Sequence, residues 1–348
     1  MSEQSNFISD AQWWQCYMPS TLQDSPLYTQ FFTHLPHDRE LQKLLVLIKE
    51  DQPVPTLFFS AVNFVLQSDL QHPLAAFYPY FQPVPQSAEG VYPAFRDFCL
   101  AHQETLRQIL PTARLQTNEV TRCANLLPAF EMVFQRGGRK PLALVEIGTS
   151  AGLNLNWDQY GYHYGPVLAG DVNSPVQIDC RVKGERLPPL PVTMPVVASR
   201  QGIDIAPLDI FDEDHVRWLR SCIWPEEMYR YHLLDAAVAF ARDHPPLIHS
   251  GDARVLLPKI LATIPPDHTL CLWHSYVLRQ CPSAVRDGIE QQIMDHAQQR
   301  DLYRISLEFV RHDRSYPPRL ELFTYHDGAM FQEELATCTV HGEQMEWL

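Results

Sequence analysis

The chain has 348 residues, enough for about two domains at roughly 150 residues each. Hydrophobic residues make up 45% of it and charged residues 20%, which excludes a disordered chain, and its 29 prolines and 14 glycines follow no collagen-like or low-complexity repeat. With 41 acidic against 27 basic residues the formal net charge is −14, so phosphate backbones and anionic membranes are repelled and neither is an expected partner.

No apolar run reaches the ~18 residues of a membrane span; the best, about Thr56 to Leu66, falls well short. The opening stretch MSEQSNFISDAQWW has neither the basic region nor the apolar stretch of a secretion signal. Eight cysteines lie far apart without a Cys-x-x-Cys pair. That spacing predicts reduced, mostly buried thiols, no zinc site of that type and a cytoplasmic location.

Residues 1–140 read as an α-helical N-terminal domain with proline-bearing loops. Phe95, Phe98, Leu106 and Ile109 stand at near-helical spacing, and Val120, Leu126, Leu127, Phe130 and Val133 predict a helix from Asn118 to Phe134 with Asn118 as its cap. The character changes at Pro141. Leu142–Ile147 is a short apolar run ending at Gly148, as in a parallel strand buried on both faces. Val196 to Ile205 reads as a strand. Helices are predicted at Asp212–Ser221 and Pro225–Asp243, the latter with Glu226 and Glu227 in its first turn. Leu247–Ser250 and Thr269–Trp273 follow as strands, and a helix capped by Ser283 carries Val285, Ile289, Ile293 and Ala297 on one stripe. Tyr303–Val310, Leu320–Tyr325 and Glu334–His341 are the last strands, the final two separated by a turn at His326-Asp327-Gly328. The alternation predicts an α/β domain over 141–348, with a Rossmann-like, doubly wound, mostly parallel sheet, an antiparallel C-terminal strand and an insertion at about 160–195.

The chemistry concentrates in Val145-Glu146-Ile147-Gly148-Thr149-Ser150-Ala151-Gly152-Leu153-Asn154. A buried strand, a turn of small residues and then a helix would expose N–H groups to a carboxylate or phosphate, with Gly148 free to take φ > 0 and Gly152 allowing close approach. A tight strand-to-helix turn with no ligand is the plainer account. Glu146-x-Gly148-x-x-x-Gly152 resembles the first motif of S-adenosylmethionine methyltransferases, whose glycine turn holds the amino-acid end of the cofactor. The same residues match G-x-S-x-G, the nucleophile elbow of α/β-hydrolases, with Ser150 as nucleophile.

Two downstream segments favour the first resemblance. Gln201-Gly202-Ile203-Asp204 resembles the end of the second methyltransferase strand, where an acid accepts both ribose hydroxyls; Ser250-Gly251-Asp252-Ala253 resembles the third, whose acid bonds the adenine amino group. Each acid alone is an ordinary turn or cap residue. Asp204 lies 56 positions beyond Gly148 against a usual ~20, so the insertion separates them and Asp179 within it rivals Asp204 for the ribose. A hairpin or lid over the ligand site would suit that insertion. Trp273-His274-Ser275-Tyr276 falls where this fold faces the methyl group: His274 is the candidate proton acceptor, Trp273 an apolar wall or cation face, and Tyr276 a neighbour. Glu119 and Arg122, one turn apart, and Arg200 are candidates to meet the acceptor, the first two reading equally as an intrahelical ion pair.

A hydrolase would instead need strands ahead of Ser150, and a triad drawn from Asp252 or Asp267 with His312, His326 or His341. A non-catalytic ligand-binding module of the same fold is a third reading. Taken together, EIGTSAGLNLNWDQYGYHYG, ASRQGIDIAPLDI, SCIWPE, SGDARVLLP and LWHSYVL resemble an uncharacterised bacterial domain-of-unknown-function family with a methyltransferase-like α/β fold. That resemblance implies the fold; the methyltransferase-like motifs add the expectation of S-adenosylmethionine as cofactor and a small or medium-sized acceptor as partner.

Overall fold

The computed structural model describes residues 25–309 and 316–348. What the sequence suggests for residues 1–24, Val310 and His312 lies outside them. The chain divides into two compact units: the first runs to Thr117 and takes in Asp212–His232, and the second comprises Asn118–Phe211 and Leu233–Leu348. This cut differs from one at residue 140. The helices are α1 (Pro26–His34), α2 (Arg39–Leu45), α3 (Val54–Leu66), α4 (Val91–Ala101), α5 (Gln103–Ile109), α6 (Arg122–Arg136), α7 (Glu213–Ser221), α8 (Met228–Asp243), α9 (Ala253–Leu261) and α10 (Ser283–Ala297). The strands are β1 (Leu142–Ile147), β2 (Gly161–Tyr164), β3 (Val167–Gly170), β4 (Gln177–Asp179), β5 (Arg181–Lys183), β6 (Val197–Asp204), β7 (Leu247–Ser250), β8 (Thr269–Ser275), β9 (Leu302–Glu308), β10 (Arg319–His326), β11 (Ala329–Cys338) and β12 (Gln344–Trp347).

The first unit is helical. Its core is aromatic: Phe31 and Phe95 stack at 4.0 Å between ring centroids, with Phe58 and Phe59 edge-on to Phe95. α3 is apolar nearly all round because it is buried nearly all round. No helix among the described residues is long and apolar enough to cross a membrane. The stretch Phe95–Ile109 is two helices rather than one, broken at His102, whose ring bonds Asp69. Pro225, Glu226 and Glu227 do not open α8, which starts at Met228. Glu226 serves another helix: its carboxylate accepts from Ser25 Oγ at 2.6 Å and Leu27 N at 2.9 Å, at the positive N-terminus of α1.

The second unit is a mixed α/β structure. A nine-stranded sheet runs β5-β12-β11-β10-β9-β8-β1-β6-β7, parallel from β9 to β7 and antiparallel across β9-β10-β11-β12. β10 and β11 meet in a two-residue turn, Asp327-Gly328, with both φ angles positive (49° and 74°), which matches the twist of the flanking strands. On one sheet face, Ala143, Val145, Ile147, Leu270 and Leu272 pack with Leu257, Leu261, Ile289 and Ile293 of α9 and α10. On the other, α6 delivers Phe130 against Trp273. α6 begins at Arg122, not Asn118, because the Asn118 side chain is spent elsewhere: its Oδ1 accepts from Leu153 N at 3.0 Å. α10 starts at Ser283 with Pro282 in the cap position.

The insertion builds a separate three-stranded sheet, β3-β2-β4, and then sends β5 to the far edge of the large sheet beside β12. In the large sheet, connections from β1 run to β6 and β7 on one side while β8 and β9 lie on the other. Such a reversal of strand order leaves a crevice beyond the carboxyl ends of β1 and β8.

Candidate functional site

At the end of β1 the chain turns sharply. Gly148 and Thr149 both donate to the Ile203 carbonyl, at 2.7 and 3.2 Å, and Gly148, Ser150 and Gly152 all have positive φ (75°, 55° and 74°). A side chain at Gly152 would meet Pro246 at 2.7 Å and one at Gly148 would overlap Val277, so glycine is required at both. The turn leads into a short 3₁₀ segment, Leu153–Gln159, kinked at Asn156, and not into an α-helix. Its N–H groups are largely consumed: Ser150 N donates to Asp204, Gly152 N to Thr149 O and Leu153 N to Asn118. The expected backbone cradle for an anion is therefore closed by the protein's own acceptors. What remains without a partner is on side chains: Ser150 Oγ and Asn154 Oδ1 are both buried with no hydrogen bond.

Glu146 lies beneath the turn. Burial pushes its carboxyl well above the usual range, against the opposing bond from Thr149 Oγ1 at 2.5 Å. Gly202 makes room for this: a Cβ there would stand 2.5 Å from the Thr149 side chain. The consequence for stability has a definite sign. A carboxyl raised on folding keeps its proton after the unfolded chain has lost its own, so stability falls as pH rises from the unfolded to the folded value. Glu146→Gln keeps an acceptor for Thr149 and removes the charge. Chemical denaturation from pH 5 to 8 is expected to show this variant gaining stability over the native chain as pH rises; a constant difference would refute the buried, proton-holding carboxyl.

Asp204 ends β6 and closes onto the turn: Oδ2 accepts from Ser150 N at 2.8 Å and Oδ1 from Ala206 N at 2.9 Å. Asp252 follows β7, the next strand, and Gly251 N donates to Asp204 O at 2.8 Å, so the two segments adjoin. The Asp252 carboxylate caps α9 through Arg254 N at 2.8 Å and pairs with the Arg254 guanidinium, whose bonds hold it below the usual carboxylate range. Ala253 is the first residue of α9 and packs against the apolar cluster behind it. Asp179 sits in the small sheet, largely exposed, with its carboxylate 2.9 Å from His163 Nδ1. Arg200 Nη2 donates to both oxygens of Asp158 (3.0 and 2.7 Å), which ties the 3₁₀ segment to β6.

The segment before α6 is bonded to the stretch that follows the turn. Asn154 Nδ2 donates to Glu119 O at 3.2 Å. The buried Glu119 carboxylate accepts from Thr121 Oγ1 and stands 3.6 Å from His341 Nδ1. Arg122 lies over the Tyr276 ring at 4.1 Å, donates to Val340 O at 3.2 Å and reaches Ser275 Oγ at 3.5 Å. Tyr276 itself has φ 57° and a hydroxyl held above its ordinary range by burial, with Arg122 opposing. Arg122 thus faces the carboxyl end of β8, while the Glu119 carboxylate turns to Thr121 and His341. His341 enters through Glu119, which nothing in its local sequence signals. Beside the turn, a cleft of about 340 Å³ opens between Ala151, the Pro207–Phe211 loop and Pro245–Ile248.

At the end of β8 the two expected roles separate. Trp273 is a core residue, wholly buried edge-on to Phe130, and offers no open face. His274 is also buried, with Nδ1 2.9 Å from Glu308 Oε1. Of the histidines considered for a hydrolase, His326 is exposed and bonded to Asp301, and Asp267 is an exposed turn residue. The described residues ahead of Leu142 contain no strand, so the strands that an α/β-hydrolase places before its nucleophile are missing from them.

No curated protein and no solved structure matches the chain. A family model does, over residues 20–347, nearly the whole length. The chain belongs to the family described as an uncharacterized protein conserved in bacteria (DUF2332).

Proposed function

We propose that the second unit binds S-adenosylmethionine and transfers its methyl group to a small or medium-sized acceptor. The observation that carries this reading is the junction of Asp204 with the glycine turn at the strand-order reversal, with Asp252 on the adjoining strand end. The order β7-β6-β1-β8-β9 supports reading the parallel half of the sheet as Rossmann-like. Fold licenses no reaction by itself, so the donor set has to fit. Its chemistry suits the cofactor: the Asp204 carboxylate is an acceptor for ribose hydroxyls, Ser150 Oγ and Asn154 Oδ1 are buried polar atoms awaiting partners, and Arg122 is a cation for a carboxylate. The apolar cleft at Ala151, Leu208 and Ile248 offers ring-sized space. When bound, the cofactor supplies an electrophilic methyl carbon. The chain's own work is then to orient the acceptor and exclude water, through Tyr276, Arg122 and the buried end of β8.

Calorimetric titration with S-adenosylmethionine and S-adenosylhomocysteine tests this. Micromolar affinity, about −8 kcal/mol, is expected for at least one of them. Silence in both would overturn it. A second reading is favoured by the positive φ of Ser150 and its unbonded Oγ, the geometry of a nucleophile elbow. Covalent labelling of Ser150 by a fluorophosphonate would establish that reading over the first. Binding without turnover over an acceptor library would mark a non-catalytic module.

A further inference from the structure

We infer that Glu308 is a positioning residue that holds His274 as a proton acceptor at the carboxyl end of β8. The two stand on adjacent parallel strands, with His274 in register with Ser306 and Glu308 closing β9. Glu308 Oε1 accepts three hydrogen bonds: from His274 Nδ1 at 2.9 Å, Val277 N at 2.9 Å and Leu278 N at 3.0 Å. Burial works to push this carboxyl up, but the imidazole and the two backbone N–H groups overcome it and hold Glu308 below the usual range. An ionised carboxylate has no proton to give, so Nδ1 carries the hydrogen, and in the neutral imidazole the lone pair falls to Nε2. The two backbone donors keep Oε1 from swinging away, which locks that choice.

Nε2 is buried and has no hydrogen-bond partner, and Glu308 Oε2 is in the same condition. A buried acceptor without a donor is costly, and native proteins retain few of them. The Val277 side chain packs on Gly148, so the carboxylate that orients His274 also seats the loop against the glycine turn. Of the ionisable neighbours in electrostatic range of Glu308, Tyr276 and Cys281 are both pushed up by burial and carry no charge at neutral pH. Arg286 and Asp252 act on Cys281 with opposite signs. The assignment rests on the methyl-transfer reading only for what donates the proton.

Long-range ¹⁵N–¹H spectra of histidine-labelled protein test it, with the His274 signals assigned by their loss in His274→Asn. The native chain is expected to show the Nδ1–H tautomer. Glu308→Ala is expected to let the Nε2–H form, preferred by free imidazole, become the major one. Glu308→Gln, whose Oε1 still accepts, is expected to restore Nδ1–H. An Nε2–H tautomer in the native chain overturns the assignment, even where neither variant folds, and so does an Nδ1–H tautomer that persists in Glu308→Ala. S-adenosylhomocysteine titration of the same samples separates the two ideas. Affinity unchanged within twofold in Glu308→Gln agrees with positioning. Absent binding with the Nδ1–H tautomer in place would sink the cofactor reading alone.

Discussion

Replacing Phe130 by alanine is expected to destabilise the second unit by about 3–5 kcal/mol and to lower its melting temperature by roughly 6–20 °C. The ring is fully buried on α6, stacked on Trp157 at 4.1 Å with planes 1° apart and edge-on to Trp273 at 5.6 Å. It therefore joins three pieces far apart in sequence: the helix before β1, the 3₁₀ segment after the glycine turn, and β8. Truncation leaves a void lined by two indoles, neither of which can collapse into it without giving up its own packing. Phe130→Leu refills most of that volume and is expected to lose less than half as much. Calorimetric melting of the three proteins checks this. A drop under about 3 °C in the alanine variant would show that α6 is not seated through this ring.

That three-way contact also shows what the sequence discloses and what it withholds. β1 coincides with the run Leu142–Ile147, because a strand buried on both faces is apolar along its length, with Glu146 its one polar residue. The glycine turn was legible for a similar reason: only glycine tolerates those φ angles against Val277, Pro246 and Ile248. Failures cluster where a polar side chain leaves its own element. Asn118 and Glu226 have the residue types and positions of local helix signals, yet Asn118 caps a loop 35 residues on and Glu226 the start of α1. Local pattern cannot distinguish a cap given to one's own helix from one given to another. The same limit hid Glu308, 34 residues from His274 and joined to it only by the pairing of β8 with β9. It also hid the engagement of Arg200 with Asp158, 42 residues away. The backbone of the site was readable where sterics dictate it; the side-chain network around it was not, because it depends on which strands become neighbours.

The residue on which the functional reading bears hardest is Asp204, and Asp204→Asn is expected to damage both stability and binding. The native carboxylate accepts with both oxygens, from Ser150 N and from Ala206 N. An asparagine has one oxygen and one NH₂, so in either orientation it presents donors to a backbone N–H that loses its acceptor. Hydrogen bonds to charged groups are worth about 1.5–3 kcal/mol, which predicts a fall of roughly 3–12 °C in melting temperature. The turn at Gly148–Gly152 then opens, and a ligand that needs both ribose hydroxyls accepted loses one acceptor. S-adenosylhomocysteine affinity is expected to weaken at least tenfold, about 1.4 kcal/mol. Asp204→Glu keeps the charge but not the reach, so it should recover neither property fully. The two measurements divide the possibilities. If melting falls while affinity stays within twofold, Asp204 is a brace for the turn and nothing more. The methyltransferase reading would then lose the acid that ties its glycine turn to the adenosyl group.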